Sequence, residues 1–159
     1  FKLWQKSLNG NLSSTFVVTK SVAKHMIKRK KGSIINIASD VGIISPDHRI
    51  YEANKKFNYK GVNFNTPISY SVAKSGIISM TRYLATYWAK KGIRVNCISP
   101  AGVYKKHDRK FVEQLSQRIP LGRMAKPHEL NGAIVYLCSN ASSFVTGHNL
   151  IVDGGRTIW

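Results

Sequence analysis

Apolar residues recur at helical spacing through residues 1–30, where Leu8, Leu12, Phe16, Val17 and Met26 alternate with serines and lysines. The pattern then changes character. Ser33-Ile34-Ile35-Asn36-Ile37-Ala38 is a short, nearly unbroken apolar run of the length of a buried strand. Residues 40–66 carry no period, but hold Gly42, Pro46, Gly61 and several Asn and Asp among aromatics, which predicts an enlarged loop or insertion. Thr66-Pro67 reads as an N-cap followed by proline at the first helical position. A helix is then expected to about Lys91, with Ala73, Ile77, Met80, Leu84 and Trp88 along one face and Gly92 as its stop. Residues 93–98 form a second strand. A loop follows over 101–125 with a short helix near 110–118, then a helix from Pro127 to about Cys138. Residues 149–152 make a last strand before Asp153-Gly154-Gly155.

Strand, helix, strand, helix, strand predicts an α/β fold with parallel pairing. Ligands of such sheets bind beyond the carboxyl ends of the strands. Ser39 and Pro100-Ala101-Gly102 both occupy such ends, and Tyr70 opens the intervening helix, so all three converge on one side of the sheet. At 159 residues the chain fits one domain with a real core. It opens at Phe1 inside a helical pattern, and so reads as a piece of a longer polypeptide.

Composition changes this picture little. A hydrophobic content of 43% excludes a disordered chain. No apolar run reaches membrane-spanning length, and residues 76–89, the longest candidate, contain Arg82, so no membrane partner is expected. The net charge of +18 raises nucleic acid as a partner. Yet the run Lys28-Arg29-Lys30-Lys31 lies at a helix C-terminus, where cations suit the dipole. No nucleic-acid-reading motif or interleaved aromatics accompany it, so no specific nucleic-acid function is expected. Cys97 and Cys138 sit among apolar neighbours and read as two buried small hydrophobes. The five histidines lack metal-ligand spacing, and no metal is expected.

The candidate chemistry lies in Tyr70-Ser71-Val72-Ala73-Lys74-Ser75-Gly76. A phenol and an ammonium four residues apart share one helix face. A nearby cation favours the phenolate, so Tyr70 could exchange a proton near neutral pH. Ser39 could hydrogen-bond the same reacting oxygen. That is the chemistry of reducing a carbonyl or oxidising an alcohol. The spacing alone is weak, because Tyr51/Lys55 and Tyr87/Lys91 share it. Context separates the three: the first falls in the aperiodic loop, the second at a helix end before Gly92, and only Tyr70/Lys74 begins a helix after a strand-terminal serine.

These blocks in this order resemble the C-terminal two-thirds of a short-chain dehydrogenase/reductase, over essentially all 159 positions. Asn11-Leu12-Ser13-Ser14-Thr15-Phe16 resembles the helix segment of the family's catalytic asparagine, Ile37-Ala38-Ser39 its serine strand, and Tyr70 to Gly76 its signature. Arg94-Val95-Asn96-Cys97-Ile98-Ser99-Pro100 resembles the strand entering its nicotinamide-contacting turn, and Val152-Asp153-Gly154-Gly155 its terminal strand. The resemblance implies a Rossmann-type doubly wound parallel sheet and a cytoplasmic oxidoreductase using NAD or NADP on a small carbonyl or alcohol substrate, as a homodimer or homotetramer. It implies Tyr70 as general acid/base, Ser39 as the group that orients the substrate carbonyl, and Lys74 as holder of the ribose hydroxyls that also lowers the Tyr70 pKa. Asn11 would order a water relay. Pro100, Ala101, Gly102 and Val103 would contact the cofactor beside Tyr70 and Lys74.

Three features depart from the family pattern. No glycine-rich phosphate loop occurs in the sequence, which places it in an N-terminal part outside these residues. Ala101 replaces the first glycine of the turn, where backbone strain would be costly. Ser39 and Tyr70 stand 31 residues apart, much farther than in most members, and the extra loop with Ser45 to Glu52 resembles that of bacterial members acting in flagellin modification and surface-sugar biosynthesis, which suits a hydroxylated, sugar-like substrate. Two other readings stay open: a catalytically inactive fragment, and a basic module binding nucleic acid or an anionic surface.

Overall fold

The computed structural model describes residues 1–52 and 65–159. The N-terminal helical stretch consists of α1 (Lys2–Leu8), a π-helical segment Asn9–Ser13, and α2 (Ser14–Arg29). Sequence periodicity predicts this stretch but not the π segment, because one widened turn barely disturbs the apolar spacing. A left-handed residue, Lys30 with φ 50°, ends α2 and turns the chain into β1 (Gly32–Ile37).

A 3-10 turn over Asp40–Gly42 and the one-turn helix α3 (Arg49–Glu52) follow β1. Much of the predicted loop, and Lys55 of the Tyr51/Lys55 pair, lies outside the described residues. The long helix α4 (Ile68–Ala89) starts after extended Pro67, which makes no side-chain cap. Thr66 is therefore not the predicted N-cap. Its Oγ1 instead shares a 2.7 Å hydrogen bond with the Tyr51 hydroxyl.

Strand β2 (Ile93–Pro100) runs two residues beyond the predicted end. Helices α5 (Arg109–Ser116) and α6 (Asn131–Cys138) and strand β3 (Asn149–Val152) complete the order. Cys97 is buried as expected, whereas Cys138 at the end of α6 is exposed, correcting the reading of both as core residues.

The sheet has the order β1-β2-β3 with both pairings parallel, Gly32 opposite Ile93 and Cys97 opposite Asn149. The burial stripe of α4, which includes Ala73, Ile77, Leu84 and Trp88, packs against buried Val95, Cys97 and Ile93 of β2. Polar groups inside this core are paired, as burial requires. Thr19 Oγ1 donates to Asn36 Oδ1 (3.2 Å) and Asn36 Nδ2 donates to Thr81 Oγ1 (2.9 Å), joining α2, β1 and α4. Asn96 Nδ2 donates to the Val145 carbonyl and its Oδ1 accepts from His148 N, aligning β3 beside β2. Among the described residues, no helix is long and apolar enough to cross a membrane.

Candidate active site

Three elements deliver the candidate groups to one place. β1 ends at Ile37, the sheet bond continues through Ala38 N to the Ile98 carbonyl (2.8 Å), and Ser39 follows in extended conformation. Gly42 then brings the 3-10 turn against the α4 backbone. A Cβ at Gly42 would stand 2.8 Å from the Lys74 carbonyl carbon. Ser75 Oγ donates to the Gly42 carbonyl (2.8 Å) and fixes this approach. Ser39 is thereby held beside the first turn of α4, where its hydroxyl donates to Asp40 Oδ1 (2.8 Å) and lies close enough to the Tyr70 hydroxyl to lower its pKa.

Lys74, one turn along α4, sets its Nζ 5.4 Å from the Tyr70 ring centroid and donates to the Ile37 carbonyl at 3.0 Å. Burial pushes the Tyr70 phenol above its ordinary value. The Ser39 hydroxyl pulls it back, and the Asp40 carboxylate adds to the rise. The i,i+4 spacing alone suggests that Lys74 lowers the phenol; in the fold, burial outweighs any such effect. Burial also lowers Lys74. A protonated phenol in a dry site is poised to donate.

Asn11 lies at the centre of the π segment and borders, with Lys74 and Ile37, an open cavity of about 560 Å³. Its Nδ2 donates to the Ser7 carbonyl (3.0 Å), and its own carbonyl accepts from Thr15 Oγ1 (2.6 Å). Gly76 makes this crossing possible, since a Cβ there would meet Leu12 Cδ2 at 2.9 Å.

The turn after β2 closes the other side. Ala101 and Gly102 line a cavity of about 190 Å³ with Ser39 and Tyr70, while Pro100 and Val103 lie just outside it, paired with Val152 and Ala125. Neither Ala101 nor Gly102 has a positive φ. The expected strain at Ala101 is absent, because this turn does not use left-handed backbone.

Sequence reasoning missed the far wall of that cavity. Ile50 and Tyr51 of α3 pack against Phe111 and Leu115 of α5, with the Tyr51 and Phe111 rings stacked at 5.7 Å. Asp47 ties the two elements, accepting from Arg49 and, at 2.5 Å, from Arg118 Nε. Hydrogen bonds from Arg49 first, and then Arg118, hold its carboxyl well below the usual carboxylate range.

Sequence reasoning also missed Asp40 and Arg156, which are buried and paired through Asp40 Oδ2 and Arg156 Nη1. Asp40 carried a signal: an acid that follows a buried apolar strand needs a partner once it is taken inside. Its partner, in a different element near the end of the chain, could not be read from spacing. Of the other Tyr/Lys pairs, Lys91 sets its Nζ 5.0 Å from the Tyr87 ring centroid at the end of α4, far along the helix from Ser39.

A dinucleotide's nicotinamide ribose fits the residues present. Among the described residues, Lys74 donates one hydrogen bond, to Ile37, leaving N–H donors for a diol at the mouth of the open cavity. Among the described residues, no group of three His, Cys, Asp or Glu could hold a metal ion.

Comparison with known proteins gives the family of the chain. The profile of the family described as Enoyl-(Acyl carrier protein) reductase matches residues 58–157. The chain is 35% identical to 2-dehydro-3-deoxy-D-gluconate 5-dehydrogenase of Bacillus subtilis (strain 168), over 96% of this chain and 55% of that protein. The crystal structure of a short chain dehydrogenase from Leptospira borgpetersenii serovar Hardjo-bovis with bound NAD+ superposes with a TM-score of 0.86 at 38% identity, covering 98% of this chain and 56% of that one. A gluconate 5-dehydrogenase from Burkholderia cenocepacia J2315, in complex with NADP and tartrate, gives a TM-score of 0.83 at 31% identity, covering 98% and 56%. The chain thus spans about half the length of the relatives it matches.

Proposed function

The chain belongs to the short-chain dehydrogenase/reductase family, and from that premise we propose that it carries the proton-transfer and substrate half of an NAD- or NADP-dependent oxidoreductase. The reaction interconverts a carbonyl and a secondary alcohol on a small polyhydroxylated, sugar-type substrate. The observation that carries this reading is the meeting of Ser39, Tyr70 and Lys74 at one pair of cavities, with Ser39 and Tyr70 lining the smaller and Lys74 the larger.

Tyr70 is the general acid in reduction and the base in oxidation, its hydroxyl proton passing to or from the substrate oxygen. Ser39 donates to that oxygen and fixes the carbonyl against Tyr70. Burial keeps Tyr70 protonated until the oxygen claims the proton. Lys74 and Tyr70 hold the ribose hydroxyls, and the turn Pro100, Ala101, Gly102 and Val103 borders the nicotinamide. The nicotinamide, when bound, supplies or accepts the hydride at the substrate carbon. Asn11, across the open cavity from Lys74, orders water through which the ammonium exchanges protons with solvent.

The wall supports the substrate class. Hydroxyls of Tyr51, Thr66 and Ser39 share the 190 Å³ cavity with the Phe111 ring, a mixture that suits a short polyol face better than a long acyl chain. Surface-glycan precursors are one source of such a substrate. Exposed apolar side chains on α2 (Val17, Val18) and α4 (Tyr83, Tyr87) support a homo-oligomer.

The test is Tyr70→Phe in the full-length protein, assayed with NAD(H) and NADP(H) on a panel of ketoses and polyols. Turnover is expected to fall by at least about a hundredfold, and cofactor affinity by far less, because Lys74 still holds the ribose hydroxyls. Wild-type-like turnover in the variant would sink the assignment.

A further inference from the structure

The Ser39 hydroxyl has a single proton and two claimants. The first is Asp40, whose Oδ1 accepts from Ser39 Oγ at 2.8 Å while also accepting from Val41 N at 2.8 Å. The second is the oxygen of Tyr70, or of a substrate beside it. Asp40 is 3% exposed, too dry for water to soften its charge. Its other oxygen, Oδ2, accepts from Arg156 Nη1, and Arg156 is itself buried at 8% exposure.

The C-terminal turn is built to place that guanidinium. Asp153, just past β3, accepts from Gly155 N through Oδ1 (2.9 Å) and from Thr157 N through Oδ2 (2.7 Å), folding the backbone around residue 156. Arg156 then reaches the cavity that Ser39 and Tyr70 line, 116 residues away in sequence from Asp40.

We propose that Asp40 and Arg156 are positioning residues that together set the proton affinity of the Ser39–Tyr70 pair, with Asp40 holding the Ser39 proton and Arg156 balancing the charge that does so. This deepens the oxidoreductase reading and rests on it. With Arg156 in place, Asp40 is a moderated acceptor, so Ser39 can turn its proton to the reacting oxygen. Without Arg156, a bare buried carboxylate would keep the Ser39 proton and disfavour the phenolate. Without Asp40, the Ser39 proton is released toward Tyr70 and an unbalanced guanidinium favours the phenolate.

The other titratable groups facing Tyr70 are Tyr51 from α3, which weakly raises it, and Lys74 on its own helix. Among the described residues, the remaining contacts of the cavity, from the turn at Ala101 and from Phe111 and Leu115 on α5, carry no titratable group. Asp40 is therefore, among the described residues, the charge through which the rest of the fold reaches Tyr70, with Arg156 acting through it as its buried partner.

The two single variants should move Tyr70 in opposite directions, a signature that loss of structure alone does not produce. The experiment is a pH titration of the Tyr70 Cζ resonance by NMR, in full-length protein labelled at tyrosine Cζ and assigned by its loss in Tyr70→Phe. Arg156→Gln should raise the Tyr70 pKa by about one unit, and Asp40→Asn should lower it by about one unit. The double variant should return close to wild type. Either single variant suffices if the other does not fold. Shifts below a few tenths of a unit, or of the same sign in both, would overturn the proposal. Because the titration needs neither cofactor nor substrate, it separates this outcome from failure of the oxidoreductase reading, which wild-type turnover tests. In an active enzyme, the pH profile of kcat/KM should move with the titration.

Discussion

Gly42 is the narrowest point of the candidate site, and a single methyl group there tests how the site is held. Gly42→Ala places a Cβ 2.8 Å from the Lys74 carbonyl carbon, 3.0 Å from Ser75 N and 3.1 Å from Lys74 Cβ. Two of these are backbone atoms of α4, so no rotamer change relieves the contact. Separating them to ordinary van der Waals distance needs roughly 0.5–1 Å of relative movement between the Asp40–Gly42 turn and α4. Gly42 has no positive φ, so the effect is steric and involves no backbone strain. Overpacking of this kind costs about 1–3 kcal/mol. A shift near 1 Å at a reacting constellation costs about a hundredfold in rate. The expected result is a loss of about 1–3 kcal/mol in urea unfolding together with a kcat lowered about 10- to 100-fold. Cofactor affinity should move far less, because the displaced turn carries Ser39 rather than the Lys74 ammonium. Gly132→Ala is the control. Its Cβ would meet nothing within 4 Å in α6, and the change should stabilise by about 0.5–1 kcal/mol with kcat intact. A Gly42→Ala protein with wild-type stability and kcat would refute the view that this contact sets the Ser39–Tyr70 geometry.

Leu137 is fully buried, with its backbone carbonyl accepting from Ser33 and Ser142, so Leu137→Ala should cost about 2–5 kcal/mol by denaturant titration. A loss under about 1 kcal/mol would show that the α6 side of the sheet collapses to fill the space. Glu129, bonded by Arg123 and by Lys126 N, titrates at about 2 instead of 4.5. With its folded pKa depressed, its stabilisation is complete above the unfolded value near 4.5 and is lost as pH falls through about 2. Acid unfolding of Glu129→Gln should lack that component, and an unaltered acid limb would count against it. Tyr83 and Tyr87 stack at 6.0 Å on the exposed face of α4, so Tyr87→Glu in the full-length protein should lower its mass by light scattering; an unchanged oligomer would place the interface elsewhere.

Much of this protein was legible before folding. Tyr70 and Lys74 share a face because helix geometry is local, and the apolar stripe from Ala73 to Trp88 fixed which way that helix faces the sheet. The strand ends at Ser39 and Pro100 followed from short apolar runs bounded by polar residues, and parallel order followed from their alternation with helices. Local signals failed where another element intervened. Thr66 bonds Tyr51 rather than capping α4, and Cys138 faces solvent because α6 ends at the surface. The π segment at Asn11 left no trace in periodicity, because it shifts the register of one turn and is paired with the adjoining turns at Ser7 and Thr15. Local spacing could put an acid and an amine one turn apart, but it carried no sign of whether burial or the ammonium would dominate at Tyr70. That balance depends on how much water the assembled sheet, helix and turn exclude. Asp40 and Arg156 show the limit most clearly: a buried charge announces that it needs a counter-charge, and only the packed chain decides which of eight arginines supplies it.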